Sequence, residues 1–197
     1  DGTNFDNWTH PDGTEVQWTL EDGIMTVEPR TGGIVATENH ADCRLHIEFR
    51  CPDMPDAEGQ AKGNSGVFLQ GRYEIQVLDS YGWEKPGLGD CGALYNQHAP
   101  LVNACLPPME WQSYDVVFRA PRFVDAKMVT DARMTVLQNG VCIHNNVQLN
   151  GLTGAHTDEN VLQPGPLMLQ DHGDLVSYRN IWMVHLPESG SKEYGPS

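Results

Sequence analysis

Three pairs of polar residues stand two positions apart inside stretches that otherwise read as β-strands. Glu74 and Gln76 alternate with Tyr73, Ile75 and Val77; Gln170 and His172 follow Leu167 and Leu169; Glu48 and Arg50 oppose Leu45, Ile47 and Phe49. Residues i and i+2 of a strand share a face and lie about 7 Å apart, so each pair turns two polar groups to one side. Any one pair also reads as an ordinary solvated strand face. A curved sheet carrying Glu, Gln, Gln, His and Arg on its concave side would offer the paired donors and acceptors that sugar hydroxyls need. Trp8, Trp18, Trp83, Trp111 and Trp182 add rings able to stack on a sugar. Of these, Trp18, Trp111 and Trp182 sit in strand patterns and read as core anchors. Trp83, in the Gly-rich loop 81–90, is the better ligand-facing ring.

Other chemistries lack their residues. The eight His form no HxxxH or HxH pair, so a dedicated zinc site has little support, and no EF-hand loop is present for calcium. There is no Gly-x-Ser-x-Gly elbow, phosphate loop or dinucleotide fingerprint; Gly87-Leu-Gly-Asp-Cys-Gly92 resembles the last only superficially, because no helix follows it. A formal charge of −15 argues against nucleic acid as a partner, since phosphate binding needs clustered Lys and Arg. No apolar run approaches the roughly 20 residues that span a bilayer, which argues against membrane insertion. Five Cys lack the close pairs of a zinc ribbon or redox motif. Cys91 and Cys105 bracket a Pro-containing loop and could bridge it.

The elements that must position these groups are strands. Residues 44–50 and 73–77 alternate strictly, and 16–20, 23–28, 65–70, 111–119, 130–138, 141–144, 166–170 and 175–186 follow as further expected strands. Asn139-Gly140 is the strongest hairpin signal, because both residues tolerate the positive φ of a type I′ turn. No long capped amphipathic helix is evident. Many short strands with Gly-rich turns, and no helices to cover a parallel sheet, imply an all-β sandwich of two antiparallel sheets, a jelly roll. The length suits one domain over 1–186, with 187–197 as a C-terminal tail. The start at Asp1, without Met or signal-peptide pattern, reads as that of a mature or trimmed product.

Six ordered motifs then carry a resemblance. Asn64-Ser-Gly-Val67, Tyr73-Glu-Ile-Gln-Val-Leu-Asp79, Cys91-Gly-Ala-Leu-Tyr95, Glu110-Trp-Gln112, Asn139-Gly140 and Leu169-Gln-Asp-His-Gly173, closed by Tyr178-Arg-Asn-Ile-Trp182, resemble the 3-keto-disaccharide hydrolase domain family over residues 1–186. Asp1-Gly2-Thr3 and Trp8 resemble its opening motif with the first residue missing. Cys105 departs from the pattern, where a small residue is expected. The resemblance implies a concanavalin-like lectin/glucanase jelly roll, usually in exported bacterial proteins and therefore extracellular or periplasmic, acting on glycosides oxidised at C3. A C3 ketone acidifies the C2 proton, so a base can remove it, the C1 aglycone can leave, and water can add to the enone.

Such a site needs a base, a donor for the enolate and an acid for the leaving oxygen. His172 or Glu74 is expected as base and Glu110 or Asp79 as acid. Asn64, Gln76, Gln170 and Arg50 would orient the sugar and polarise the ketone, with Glu48, Trp83 and Tyr95 also in the substrate site. A divalent cation could replace the enolate donors. Two alternatives stand beside this: a non-catalytic carbohydrate-binding module, and a conventional retaining glucanase. The second needs two carboxylates about 5–5.5 Å apart. In Glu74-Ile-Gln-Val-Leu-Asp79 a Gln occupies the middle position, and the odd separation puts Glu74 and Asp79 on opposite faces unless the strand bulges.

Overall fold

The computed structural model describes residues 2–189; most of the expected 187–197 tail, and Asp1 of the opening motif, lie outside the described residues. In chain order the strands are β1 (Trp8–Thr9), β2 (Thr19–Glu21), β3 (Ile24–Thr26), β4 (Ile34–His40) and β5 (Cys43–Arg50). A 3-10 turn, Gly59–Ala61, precedes β6 (Ser65–Leu69) and β7 (Tyr73–Val77). Then come β8 (Gln112–Arg119), β9 (Arg122–Val124), β10 (Lys127–Thr130), β11 (Arg133–Gln138), β12 (Val141–Gln148), β13 (Gly165–Leu169) and β14 (Ser177–His185). Two antiparallel sheets face each other, with strand orders β1-β4-β13-β6-β7 and β12-β11-β8-β5-β14-β3-β2, and β9 with β10 forms a separate ribbon. This is the all-β sandwich expected of the strand pattern.

Alternation builds the core. Leu45, Ile47 and Phe49 of β5, Tyr114, Val116 and Phe118 of β8, and Met134 and Val136 of β11 turn inward from the seven-stranded sheet. Val67, Leu69, Tyr73, Ile75, Val77, Leu167 and Leu169 meet them from the other. Asn139 and Gly140 have φ of 52° and 79°, as a type I′ hairpin between β11 and β12 requires. Two buried tyrosines of the seven-stranded sheet hold the strands of the opposite one. Tyr114 Oη donates to the Gln76 carbonyl at 2.7 Å. Tyr178 Oη lies 2.7 Å from Ser65 Oγ, which itself donates to the Gln170 carbonyl at 2.6 Å. These links satisfy buried hydroxyls and fix the height of β6, β7 and the end of β13.

The fold departs from expectation in five places. β4 is an unforeseen strand: only Ile34 and His40 of it are buried, and its run Thr37-Glu38-Asn39 is exposed, so no apolar period marks it. The expected 130–138 strand divides between the β9–β10 ribbon and β11, because residues 131–132 break the ladder. Trp111 and Trp182 are not core anchors, although Trp18 is. In β14 a bulge between Arg179 and Trp182, with Asn180 at φ 48°, adds one residue. Tyr178 therefore faces inward, Trp182 pairs with outward His46, and Met183 takes the inward place opposite Leu45. Finally, all five cysteines are free thiols, Cys91 and Cys105 included.

Candidate functional site

On the outer side of the five-stranded sheet, register assembles one polar cluster. Gly66 pairs with Gln76 and Phe68 with Glu74 across β6 and β7. Beyond β7, residues 92–95 run along its free edge: Gln76 N–H donates to the Ala93 carbonyl, and Tyr95 N–H donates to the Glu74 carbonyl at 3.2 Å. Leu94 bridges Ile75, so Tyr95 stands opposite Glu74 on the same face. From the other side, Gln170 N–H donates to the Gly66 carbonyl at 3.0 Å, and by alternation after inward Leu169 its side chain turns outward. Glu74, Gln76, Tyr95 and Gln170 thus surround Gly66.

Gly66 is what lets them meet. A Cβ there would stand 2.5 Å from Glu74 Oε1 and 2.7 Å from Phe68 Cε2, so the carboxylate lies across the bare glycine backbone. Glu74 is only 3% exposed, and burial lifts its carboxyl from an ordinary 4.5 to about 8. The amide of Gln76 lies between two sets of neighbours. With its nitrogen toward Gln60, it donates to Gln60 Oε1 at 3.0 Å and to the Gly89 carbonyl at 3.3 Å. Turned over, the nitrogen donates to the Ser65 carbonyl at 2.8 Å and to Glu74 Oε1 at 3.2 Å. The second orientation removes a clash of acceptors and gives the carboxylate a donor.

Asn64 joins the cluster through Gln60: its Nδ2 donates to the Gln60 carbonyl at 2.7 Å and reaches Gln60 Oε1 at 3.3 Å. Gln60 also donates to the Gly89 carbonyl at 2.7 Å, tying the Gly-rich loop over the site. The side chain of Gln170 is uncommitted, and its Oε1 is buried with no hydrogen-bond partner among the described residues. A buried acceptor left open costs about 1–3 kcal/mol, which a bound hydroxyl would relieve. His172 is exposed on the loop after β13. That loop is pinned on both sides, by Asp171 Oδ2 accepting from Gly32 N–H at 2.9 Å and Asp174 Oδ2 accepting from Asn64 N–H at 2.7 Å. His172 lies between these two anchors, exposed, with no contact to Glu74.

The remaining expected residues are placed elsewhere. Glu48 and Arg50 lie on the outer face of the seven-stranded sheet, on the far side of the sandwich from Glu74. Their sequence pattern matches that of Glu74 and Gln76, but alternation does not tell which sheet a strand joins. Glu48 accepts from Arg179 Nε at 2.6 Å and Asn180 Nδ2 at 2.8 Å. Burial alone would raise its carboxyl, yet these bonds outweigh that and hold it below the usual range. Arg50 stacks on Trp111 at 4.8 Å, as does Arg179 at 4.0 Å.

Asp79 is buried beyond the end of β7; Tyr81 N–H donates to its Oδ1 at 3.2 Å, and Lys62 Nζ stands 3.0 Å from Oδ2, an ion pair without hydrogen-bond alignment. Glu110 is exposed in the loop before β8. Trp83 is exposed on the loop that Gly89 ties down, and its carbonyl accepts from Asn103 Nδ2 at 2.9 Å. Gln60 was not foreseen, since a Gln in a short turn carries no pattern. Beside Glu74 the donor set is amides, and among the described residues no group of three or more His, Cys, Asp or Glu is placed to hold a metal ion.

The arrangement offers one carboxyl tuned toward neutrality, ringed by amides and an aromatic ring: groups suited to moving a proton on a polyhydroxylated ring. The model of the 3-keto-alpha-glucoside-1,2-lyase-like domain family matches residues 1–184. Among solved structures, the chain is similar to a provisionally assigned glycosyl hydrolase from Parabacteroides distasonis ATCC 8503, with 38% identity and a TM-score of 0.86, over 94% of this chain and 81% of that one. A second such protein from the same organism is 21% identical with a TM-score of 0.68, over 94% and 91% of the two chains. The carbohydrate-binding module CBM66 from Bacillus subtilis shares the fold at 12% identity and a TM-score of 0.51, over 91% and 96%. No curated protein matches the chain.

Proposed function

Because the chain belongs to the 3-keto-alpha-glucoside-1,2-lyase-like domain family, a carbohydrate-active family, we propose that it cleaves glycosides bearing a C3 ketone, with Glu74 as the proton-transfer group. The observation that carries this reading is the buried Glu74 carboxyl lying across Gly66 with its pKa lifted to about 8. A carboxylate of that basicity is matched to a carbon acid next to a ketone far better than an ordinary one. Glu74 takes the C2 proton; the electron pair moves to the C3 oxygen as an enolate. Collapse of the enolate forms the C1–C2 double bond, breaks the C1–O bond and releases the aglycone, whose oxygen takes up a proton. Water then adds its oxygen to C1 and a proton to C2.

Amide donors beside the carboxylate suit the other demands. Gln170, uncommitted, and Gln76, beside the carboxylate, are the groups we assign to the ketone and ring hydroxyls. His172, exposed on the loop after β13, is the candidate we assign to protonate the leaving oxygen, since Asp79 is engaged by Lys62 and Glu110 belongs to another loop. Entry of a sugar requires the loop held by Gln60 at Gly89 to lift, and Trp83 rides on that loop. The retaining-glucanase alternative is disfavoured because Asp79 is ion-paired and so gives Glu74 no free carboxylate partner.

Turnover of a chromogenic 3-keto-glucoside tests the reading. Glu74→Gln should lower kcat by about 10²–10⁴-fold, His172→Ala should lower it less, and an unoxidised β-glucan should release nothing. Full activity in Glu74→Gln, or release from the unoxidised glucan at a matching rate, would overturn it.

A further inference from the structure

Of the four side chains around Gly66, Tyr95 alone brings a hydroxyl. It closes the segment Cys91-Gly-Ala-Leu-Tyr95, which runs along the free edge of β7: Leu94 bridges Ile75, and Tyr95 N–H donates to the Glu74 carbonyl at 3.2 Å. Side chains paired in this way on adjacent strands have Cβ atoms about 4.5–5.5 Å apart, so the phenol rises beside the Glu74 carboxyl. Glu74 Oε1 leans over Gly66 toward β6, whereas the Tyr95 ring borders Gly89. A Cβ on Gly89 would stand 3.7 Å from Tyr95 Cε2 and 3.2 Å from Gln60 Nε2, and the Gly89 carbonyl accepts from Gln60 at 2.7 Å. Asn96 N–H donates to the Leu88 carbonyl at 2.9 Å, which holds residues 88–89 against 95–96. The ring is thus fixed between the base and the loop that covers it.

Its hydroxyl is not engaged. Tyr95 is half-buried, and its Oη makes no hydrogen bond among the described residues. Tyr114 and Tyr178 differ, because their hydroxyls are committed to the Gln76 carbonyl and to Ser65. A phenol packed among polar groups normally finds a partner, and the partner missing here is on the side of the bound sugar.

We propose that Tyr95 is a further catalytic residue, whose hydroxyl donates to the C3 oxygen as that oxygen becomes an enolate; this rests on the reaction assigned to Glu74. When Glu74 takes the C2 proton, the C2–H electron pair forms the C2–C3 double bond and the ketone π pair moves onto the C3 oxygen. Charge therefore develops one atom away from the carbon that the base attacks, and its donor must stand next to the base, as a cross-strand neighbour does. A phenol O–H is a stronger donor to an oxyanion than a carboxamide N–H, and a half-buried site strengthens the bond further. Tyr95 keeps its own proton throughout, so the proton count of the reaction is unchanged.

Exchange of the C2 proton isolates this step. The full chain is incubated in D2O with 1,5-anhydro-3-keto-glucitol, which has the ketone but no aglycone to lose, and the C2–H signal is followed by NMR. Wild type is expected to exchange this proton and Glu74→Gln to lose the exchange. Tyr95→Phe should exchange about 10²–10³-fold more slowly, with KM for a 3-keto-glucoside little changed, because the ring stays and only the donor goes. Wild-type exchange in Tyr95→Phe, with Glu74→Gln inactive, would overturn the role of Tyr95 and spare that of Glu74. Turnover lost in Tyr95→Phe with exchange retained would overturn it equally, by moving the hydroxyl to the leaving oxygen. No exchange by wild type, or exchange that survives Glu74→Gln, would overturn the Glu74 reading and this proposal with it.

Discussion

Replacing Glu74 by Gln should stabilise the protein at alkaline pH while removing its activity. The carboxyl of Glu74 titrates near its ordinary 4.5 in the unfolded chain and at about 8 when folded. Between those values the folded state holds a proton that the unfolded state has lost, so stability falls as pH rises through that window. The full cost above pH 8 is the gap between the two values at 1.36 kcal/mol per unit, about 5 kcal/mol. An isosteric amide cannot ionise and carries none of it. Thermal melts of wild type and Glu74→Gln at pH 5 and pH 9 check this: near pH 5 the two should nearly coincide, and near pH 9 the variant should melt about 10 °C or more higher, since 1 kcal/mol moves a domain of this size by about 2–4 °C. The kcat/KM of the wild type should rise through pH 8 over the same range, because the base is the ionised form. A melting difference that does not change with pH would refute the claim that burial perturbs Glu74, and with it the assignment of a base working near neutrality.

Three further outcomes follow from the placement of other residues. Gly66→Ala puts a methyl group 2.5 Å from Glu74 Oε1; displacing the carboxylate should cost kcat about 10²-fold, with an overpacking penalty of only about 1–3 kcal/mol in a melt. Ser65→Ala orphans both Tyr178 Oη and the Gln170 carbonyl, so denaturant unfolding should show a loss of about 2 kcal/mol, with KM raised as Gln170 loses its anchor. Arg50→Ala should leave kcat/KM of the 3-keto-glucoside unchanged and lower stability by about 0.5–1 kcal/mol, the worth of an exposed cation–π contact with Trp111; a large loss of turnover would place the reaction on the opposite sheet.

Local chemistry made much of the architecture readable in the sequence. Strict alternation in 44–50 and 73–77, and the Asn139-Gly140 turn, depend on side chains one or two residues apart, and they determine strand, face and hairpin without help from the rest of the chain. That Glu74 and Gln76 share a face follows from the same short-range rule, as does their opposition to Tyr73, Ile75 and Val77. Which faces come together is a different matter. The outward pair Glu48 and Arg50 is patterned like Glu74 and Gln76, yet long-range pairing sends β5 and β7 to opposite sheets and the two pairs to opposite sides of the molecule. One inserted residue at Asn180 reverses every side chain after it, which alternation cannot foresee, and so Trp182 goes outward. The pKa of Glu74 is likewise a tertiary property: Gly66, Phe68 and Tyr95 come from other segments to exclude water from it, and desolvation has no local signature.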